Sequence, residues 1–224
     1  MMARPNKVIF FDLTLPLSPR TFTYPGDPAP TITRTLDTSK GDPLTASHLS
    51  LNCHVGTHVD APAHFLAHGA TLEELPLDCF FGPAAVISLE GKAIIEAADL
   101  VSQDLPPSHH ILLKTDNSRL LKRNRFSESF CVVSPDATRY LLRTTPRSIG
   151  YDYYSLDPYQ TTEIFPAHRI LAQSNIPVFV CLDLSKVQPG RYNFFGFPLR
   201  LTKAEASPVR ALLMKEMEER ALDR

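Results

Sequence analysis

His54-Val55-Gly56-Thr57-His58-Val59-Asp60-Ala61-Pro62-Ala63-His64-Phe65 places three histidines and a carboxylate between positions 54 and 64. Two histidines four residues apart would share one face of a helix, as on the zinc-binding helix of metalloproteases. The intervening residues oppose helix. Gly56 and Pro62 weaken or break one, and Val55, Thr57 and Val59 are β-branched and favour an extended chain. On a strand, side chains alternate with period two, which would put His54, His58 and Asp60 on one face and Val55 and Val59 on the other. Pro62, with no N–H to donate, ends the ladder and leaves His64 on the turn that follows. Imidazole and carboxylate donors suit Zn²⁺, Mn²⁺ or Fe²⁺, and three protein ligands with an open position are the pattern of a catalytic metal site. A further imidazole nearby is suited to act as a general base on water.

Around this segment the chain reads as one α/β domain spanning residues 1–224, long enough to bury a sizeable core. Residues 8–13, 47–53, 84–89, 110–113, 148–151, 178–182 and 193–198 read as short strands. Ser134 with Pro135 marks one helix start, with Ala137, Tyr140 and Leu141 on one stripe; Pro166 marks another, in which His168, Leu171 and Ala172 share a face before a stop at Asn175. Residues 209–213 are expected as strand, and the charged tail 214–223 as helical or frayed. His48 would share a strand face with His54 and is expected to pack. His68, His109 and His110 sit in polar, turn-like contexts that predict surface positions.

A net charge of −1 gives no basic footprint for nucleic acid or an anionic membrane. No apolar run approaches the roughly 20 residues of a membrane helix, and residues 1–7 lack the apolar region of a signal peptide, so a cytoplasmic location is expected. Cys53, Cys79, Cys131 and Cys181 show neither zinc-finger nor redox spacing and read as reduced thiols, with Cys53 facing away from the metal.

The stretch 54–65 matches His-x-Gly-Thr-His-x-Asp-Ala-Pro-x-His-Phe, the hallmark of the metal-dependent cyclase-like hydrolases, which include bacterial kynurenine formamidases and isatin hydrolases. The chain resembles that family over nearly its whole length. Further matches follow in the family's order: Asp12-Leu13-Thr14 with Pro16-Leu17-Ser18, Tyr24-Pro25-Gly26-Asp27, Gly82-Pro83-Ala84, Gly150-Tyr151-Asp152, Ser155-Leu156-Asp157-Pro158, Phe165-Pro166-Ala167-His168 and Ser207-Pro208-Val209-Arg210. The resemblance implies a swivelling β/β/α fold, a mixed β-sheet or barrel core with flanking helices. It implies metal binding by His54, His58 and Asp60, acid/base catalysis by His64, and His168 on the far side of the same catalytic pocket. It also implies homodimers or larger assemblies, with the segment 22–27 reaching towards the partner's pocket.

Two departures bear on cofactor and substrate. The formamidase branch binds a second metal through the residue at His168 and a Glu, and here Val180-Cys181-Leu182 aligns with the Glu-Asn-Leu of that branch. Asp183 is the nearest carboxylate, and on a strand it points away from the face of Val180 unless a bulge intervenes. One divalent ion per site, Zn²⁺ or Mn²⁺, is therefore expected, as in isatin hydrolase-like members, with His168 and Asp183 the candidates for a second. The formamidase Trp before Pro-Gly-Asp is Tyr24 here; aryl contacts would then fall to Tyr24, Phe22 or Phe65. Together these features point to hydrolysis of a small cyclic amide, imide or lactone. The alternatives are an arylformamidase acting on an N-formyl arylamine and a non-catalytic, metal-stabilised binding protein.

Overall fold

The computed structural model describes residues 7–107, 109–160 and 164–217. In chain order its strands are β1 (Lys7–Asp12), β2 (Thr31–Leu36), β3 (Ala46–Ser50), β4 (His58–Asp60), β5 (Phe81–Ser88), β6 (Ile94–Ile95), β7 (His110–Lys114), β8 (Val132–Val133), β9 (Ser148–Tyr151), β10 (Val178–Val180), β11 (Gly190–Phe195), β12 (Ala206–Pro208) and β13 (Leu212–Met217). Four helices accompany them: α1 (Ala97–Val101), α2 (Ser118–Leu121), α3 (Pro135–Leu142) and α4 (Pro166–Gln173). Nine strands form one sheet in the order β1-β13-β11-β5-β7-β9-β10-β4-β12. It is parallel from β5 through β7 and β9 to β10 and antiparallel at both flanks. This is the expected mixed α/β architecture.

The parallel centre is buried on both faces, as such strands require. Alternation sorts the core into two clusters. Ala85, Ile87, Ile111, Leu113, Val178 and Val180 pack with Leu100, Leu141 and Leu171 of the helices, while Ala84, Val86, Leu112 and Phe179 point to the opposite face with Val59, Phe194 and Leu213. Since Val59 belongs to the second cluster, its neighbours His58 and Asp60 project to the helix-covered face. There Asp60 pairs with Val178, and His58 with Val180.

Both predicted helices form. Ser134 caps α3 by accepting from the Ala137 N–H. In α4, His168, Leu171 and Ala172 are buried together, and Asn175 takes a positive φ of 56° that ends the helix. The tail differs from its expectation, because β13 continues as strand through Met217, paired in register with β1, instead of turning helical at 214. Lys215 and Glu216 sit in that ladder, where β pairing overrides local helix propensity; residues 218–223 lie outside the described residues. The strand at 209–213 is likewise displaced, to β12 and β13. His48 is exposed on the β2–β3 ribbon, where packing was expected.

His110 is the clearest correction. Expected at the surface, it opens β7 with no solvent exposure, its Nδ1 2.7 Å from the Ser148 hydroxyl. Burial pushes its pKa down to about 4, against the Phe81 backbone and Asp78, which favour the charged form. The strand at 110–113 was legible, but its central place in the sheet was not.

Candidate metal centre

The strand bearing the motif is shorter than its residue types suggest. Only His58–Asp60 is β-strand, and His54 sits in the preceding turn. His54 therefore reaches the site by a reversal of the chain and not by strand alternation. Gly56 permits this with φ of 62°, a conformation costly for residues with a side chain. Its carbonyl also receives the His58 Nδ1–H at 2.8 Å.

The three side chains converge. One donor atom from each of His54, His58 and Asp60 lies within 4.8 Å of the others, and among the described residues no other group of three such donors assembles. His54 Nδ1 stands 2.9 Å and His58 Nε2 3.4 Å from the same Asp60 Oδ1. Burial pulls His58 down to about 4, with Asp60 opposing, so its ring is neutral near pH 7 and offers a lone pair. Burial pushes Asp60 up, but its electrostatic coupling to His58 and the His54 hydrogen bond outweigh it and hold the carboxyl below the usual carboxylate range. For His54, burial favours the neutral ring, yet the Asp60 hydrogen bond and the carboxylates of Asp60 and Glu205 raise its pKa above 6.5 overall. Neutral imidazole, ionised carboxylate and close spacing suit a divalent cation.

His64 ends the short turn Pro62–His64 after β4, and its ring lies 4.1 Å from that of His54, tilted by 34°. Burial lowers its pKa, as do His54 and His168, while Asp60 acts the other way. Across the cavity, His168 of α4 stacks on Phe65 at 4.6 Å and directs Nδ1 at Asp157 Oδ2, 2.6 Å away. The same carboxylate accepts the Ala167 and His168 backbone N–H groups at 2.8 and 3.1 Å. It thus satisfies two donors of the first turn of α4 while fixing the ring.

The cavity between them, about 200 Å³, is lined by Tyr24, Asp27, Tyr154, Ser155, Phe65 and Phe165 together with His54, His58, Asp60, His64 and His168. Tyr24 and Phe65 line the cavity wall. Phe22 does not line the wall; it packs edge-on against Tyr154 at 5.3 Å, and its carbonyl accepts the Tyr154 hydroxyl at 2.6 Å. Tyr24 and Asp27 line this chain's own cavity. Asp183 is not in the wall: its carboxylate accepts the Ser185 N–H and its own N–H bonds to Leu13. Val180 is fully buried in the sheet, and a positive φ of 55° at Cys181 ends β10 there, so the bulge that would turn Asp183 inward does not form. Sequence reasoning missed Asp157, Tyr154, Phe165 and Glu205 as site residues. Asp157 and Phe165 carried a signal, each lying in a motif quoted for other reasons; Glu205 lies two residues before Ser207-Pro208.

Comparison with known proteins agrees with this geometry. The model of the Cyclase family matches residues 11–158. A solved structure described as a potential metal-dependent hydrolase with cyclase activity superposes with a TM-score of 0.80 at 30% identity, over 95% of this chain and 100% of that one. A predicted metal-dependent hydrolase from Bacillus stearothermophilus does so with a TM-score of 0.78 at 29% identity, over 93% and 98%. Isatin hydrolase A from Ralstonia solanacearum shares the fold, with a TM-score of 0.82 at 22% identity over 93% and 92%. The family match covers well over half of the sequence, and the chain belongs to the Cyclase family.

Proposed function

We propose that this protein is a metal-dependent hydrolase that opens a small cyclic amide, imide or lactone. The observation that carries the reading is the pairing of a convergent His54–His58–Asp60 donor set with a fourth imidazole, His64, in one small aromatic-walled cavity. A single divalent ion, Zn²⁺ or Mn²⁺, bound there supplies Lewis acidity, polarising a carbonyl and making a nearby water more acidic. His64, neutral near pH 7, accepts a proton from water as its oxygen bonds to the carbonyl carbon. It returns that proton to the nitrogen or oxygen released when the ring bond breaks. His168 has Nδ1 committed to Asp157, which leaves Nε2 to hold the substrate oxygen or leaving atom from the far wall. Tyr24, Phe65 and Phe165 supply flat faces for an aryl or other planar ring.

The cavity volume is below the about 300–1,000 Å³ usual for drug-sized ligands, which favours a compact substrate. An N-formyl arylamine is the second reading. In this chain its two-metal form would need Asp183, whose carboxylate is engaged with Ser185. A purely binding role leaves His64 beside the donor set without a task. The β2–β3 ribbon pairs only with itself and exposes Ile32, Leu36, Leu44 and Leu49, and we assign its cover to a second copy of the chain.

The test is hydrolysis of a panel by the purified protein with added Mn²⁺ or Zn²⁺: a fused aryl lactam-dione, an unsaturated lactone and an N-formyl aniline, with His64→Ala as blank. Turnover of the cyclic substrates that vanishes in the variant supports the reading. Turnover of the formyl aniline alone favours the second reading, and bound metal with no turnover at all favours a binding protein.

A further inference from the structure

We infer that Glu205 is a positioning residue for His54 and that the two histidines present different ring nitrogens to the cation, Nδ1 from His54 and Nε2 from His58. The inference rests on the reading of His54, His58 and Asp60 as the metal-binding group. For His58 the assignment follows from a carbonyl, which can only accept: the Gly56 oxygen at 2.8 Å places the proton on Nδ1 and the lone pair on Nε2. Nε2 is the nitrogen that stands 3.4 Å from Asp60 Oδ1.

His54 is mounted the other way round. Its Nδ1 is the atom next to Asp60 Oδ1, at 2.9 Å, while its Nε2 faces Glu205 Oε1 at 3.3 Å. The two nitrogens that meet at Asp60 Oδ1 are therefore Nδ1 of one ring and Nε2 of the other, and a cation shared with Asp60 takes its lone pairs from those atoms. A neutral His54 ring then carries its proton on Nε2 and donates it to Glu205. Such an outer carboxylate fixes the tautomer, aims the ring and makes the ligating nitrogen more basic.

The backbone of Glu205 is fixed beside β4. Its carbonyl accepts the Ala61 N–H at 2.8 Å, and the next residue, Ala206, opens edge strand β12 directly opposite Asp60. The residue that leads into the edge strand is thus the outer partner of the ring that the short strand β4 cannot itself position. Glu205 does not line the cavity, and its side chain is 43% exposed, so it meets His54 from the solvent side.

The test is titration of the chelator-stripped full chain with Zn²⁺ by calorimetry, with Glu205→Ala, Glu205→Gln and His58→Ala alongside. The alanine variant should bind zinc about 10–100-fold more weakly, the range typical for loss of an outer-shell partner. The glutamine variant keeps an acceptor oxygen and should recover most of that loss. Nitrogen-15 histidine NMR of the zinc-loaded wild type needs no variant, and should show two metal-bound rings of opposite tautomer. Zinc affinity of Glu205→Ala within two-fold of wild type, or two rings both bound through Nε2, would overturn the inference and leave the metal site standing. Wild type that binds no zinc, or His58→Ala that binds it equally well, would instead overturn the metal-binding reading and this inference with it.

Discussion

His64 differs from its three neighbours in the motif by what it does not touch: Asp60 Oδ1 lies 2.9 Å from His54 Nδ1 and 3.4 Å from His58 Nε2, whereas His64 meets the group through a ring contact with His54. Replacing it should therefore spare the metal. His64→Ala is expected to lower turnover about 10²–10⁴-fold, the usual worth of a positioned proton-transfer group, with zinc content unchanged by elemental analysis; His58→Ala should lose both. Full activity in His64→Ala would remove it from the mechanism. A second residue-scale prediction concerns His110, far from the donor set. Its folded pKa, about 4, lies below the 6.5 of an ordinary histidine, so on acidification the unfolded chain takes up this proton first. The stabilisation is complete above about pH 6.5 and drains away as pH falls towards 4, by at most about 3 kcal/mol. Urea midpoints at pH 7 and pH 5 should fall less for His110→Asn than for wild type, and parallel losses in the two proteins would contradict the account.

Elements of very different size cooperate at the site. Strand β4 is three residues long and is held between β10 and β12, while α4 is two turns long and starts against the Asp157 carboxylate, which reaches it from a preceding loop. Asp157 thus does two tasks, ending the unsatisfied N–H groups of the helix and setting the His168 ring. Asp157→Ala leaves two buried backbone donors unpaired and should cost about 2–6 kcal/mol, each orphaned group costing about 1–3. Thermal melts would measure this, and a loss under about 0.5 kcal/mol would mean that water or another side chain replaces the carboxylate. The β2–β3 ribbon raises the opposite question, since its strands are left almost wholly exposed by the other described residues. A lone two-stranded hairpin is marginal in water, and four large apolar side chains on it are exposed. Light scattering at micromolar concentration should find a dimer or larger species, with Ile32→Lys combined with Leu49→Glu shifting it to monomer; a monomeric wild type would refute the assignment.

At the scale of the whole molecule, binding of a cation by the folded state alone links metal to global stability. Zn²⁺ or Mn²⁺ at about 100 times its dissociation constant should add about 2.7 kcal/mol, which for a chain of this size raises the melting temperature by about 5–10 °C, and a chelator should reverse it. An unchanged melting curve would mean that the folded chain binds the ion too weakly to matter. Much of this was written locally. The donor types, the helix starts at Ser134 and Pro166 and the family motifs are set by a few adjacent residues, because ligand chemistry and helix entry depend on neighbours within about one turn of chain. The misplacements share one cause. His110 looked polar and exposed until β5 and β9 closed around it, and residues 214–217 looked helical until β1 paired with them. The sequence by itself determined the fold class, the family and a donor set, His54, His58 and Asp60, of the kind that can hold a divalent cation. Only the tertiary structure decided which distant carboxylates, Asp157 and Glu205, complete the site, since sheet register and chain reversal bring together groups that no local periodicity relates.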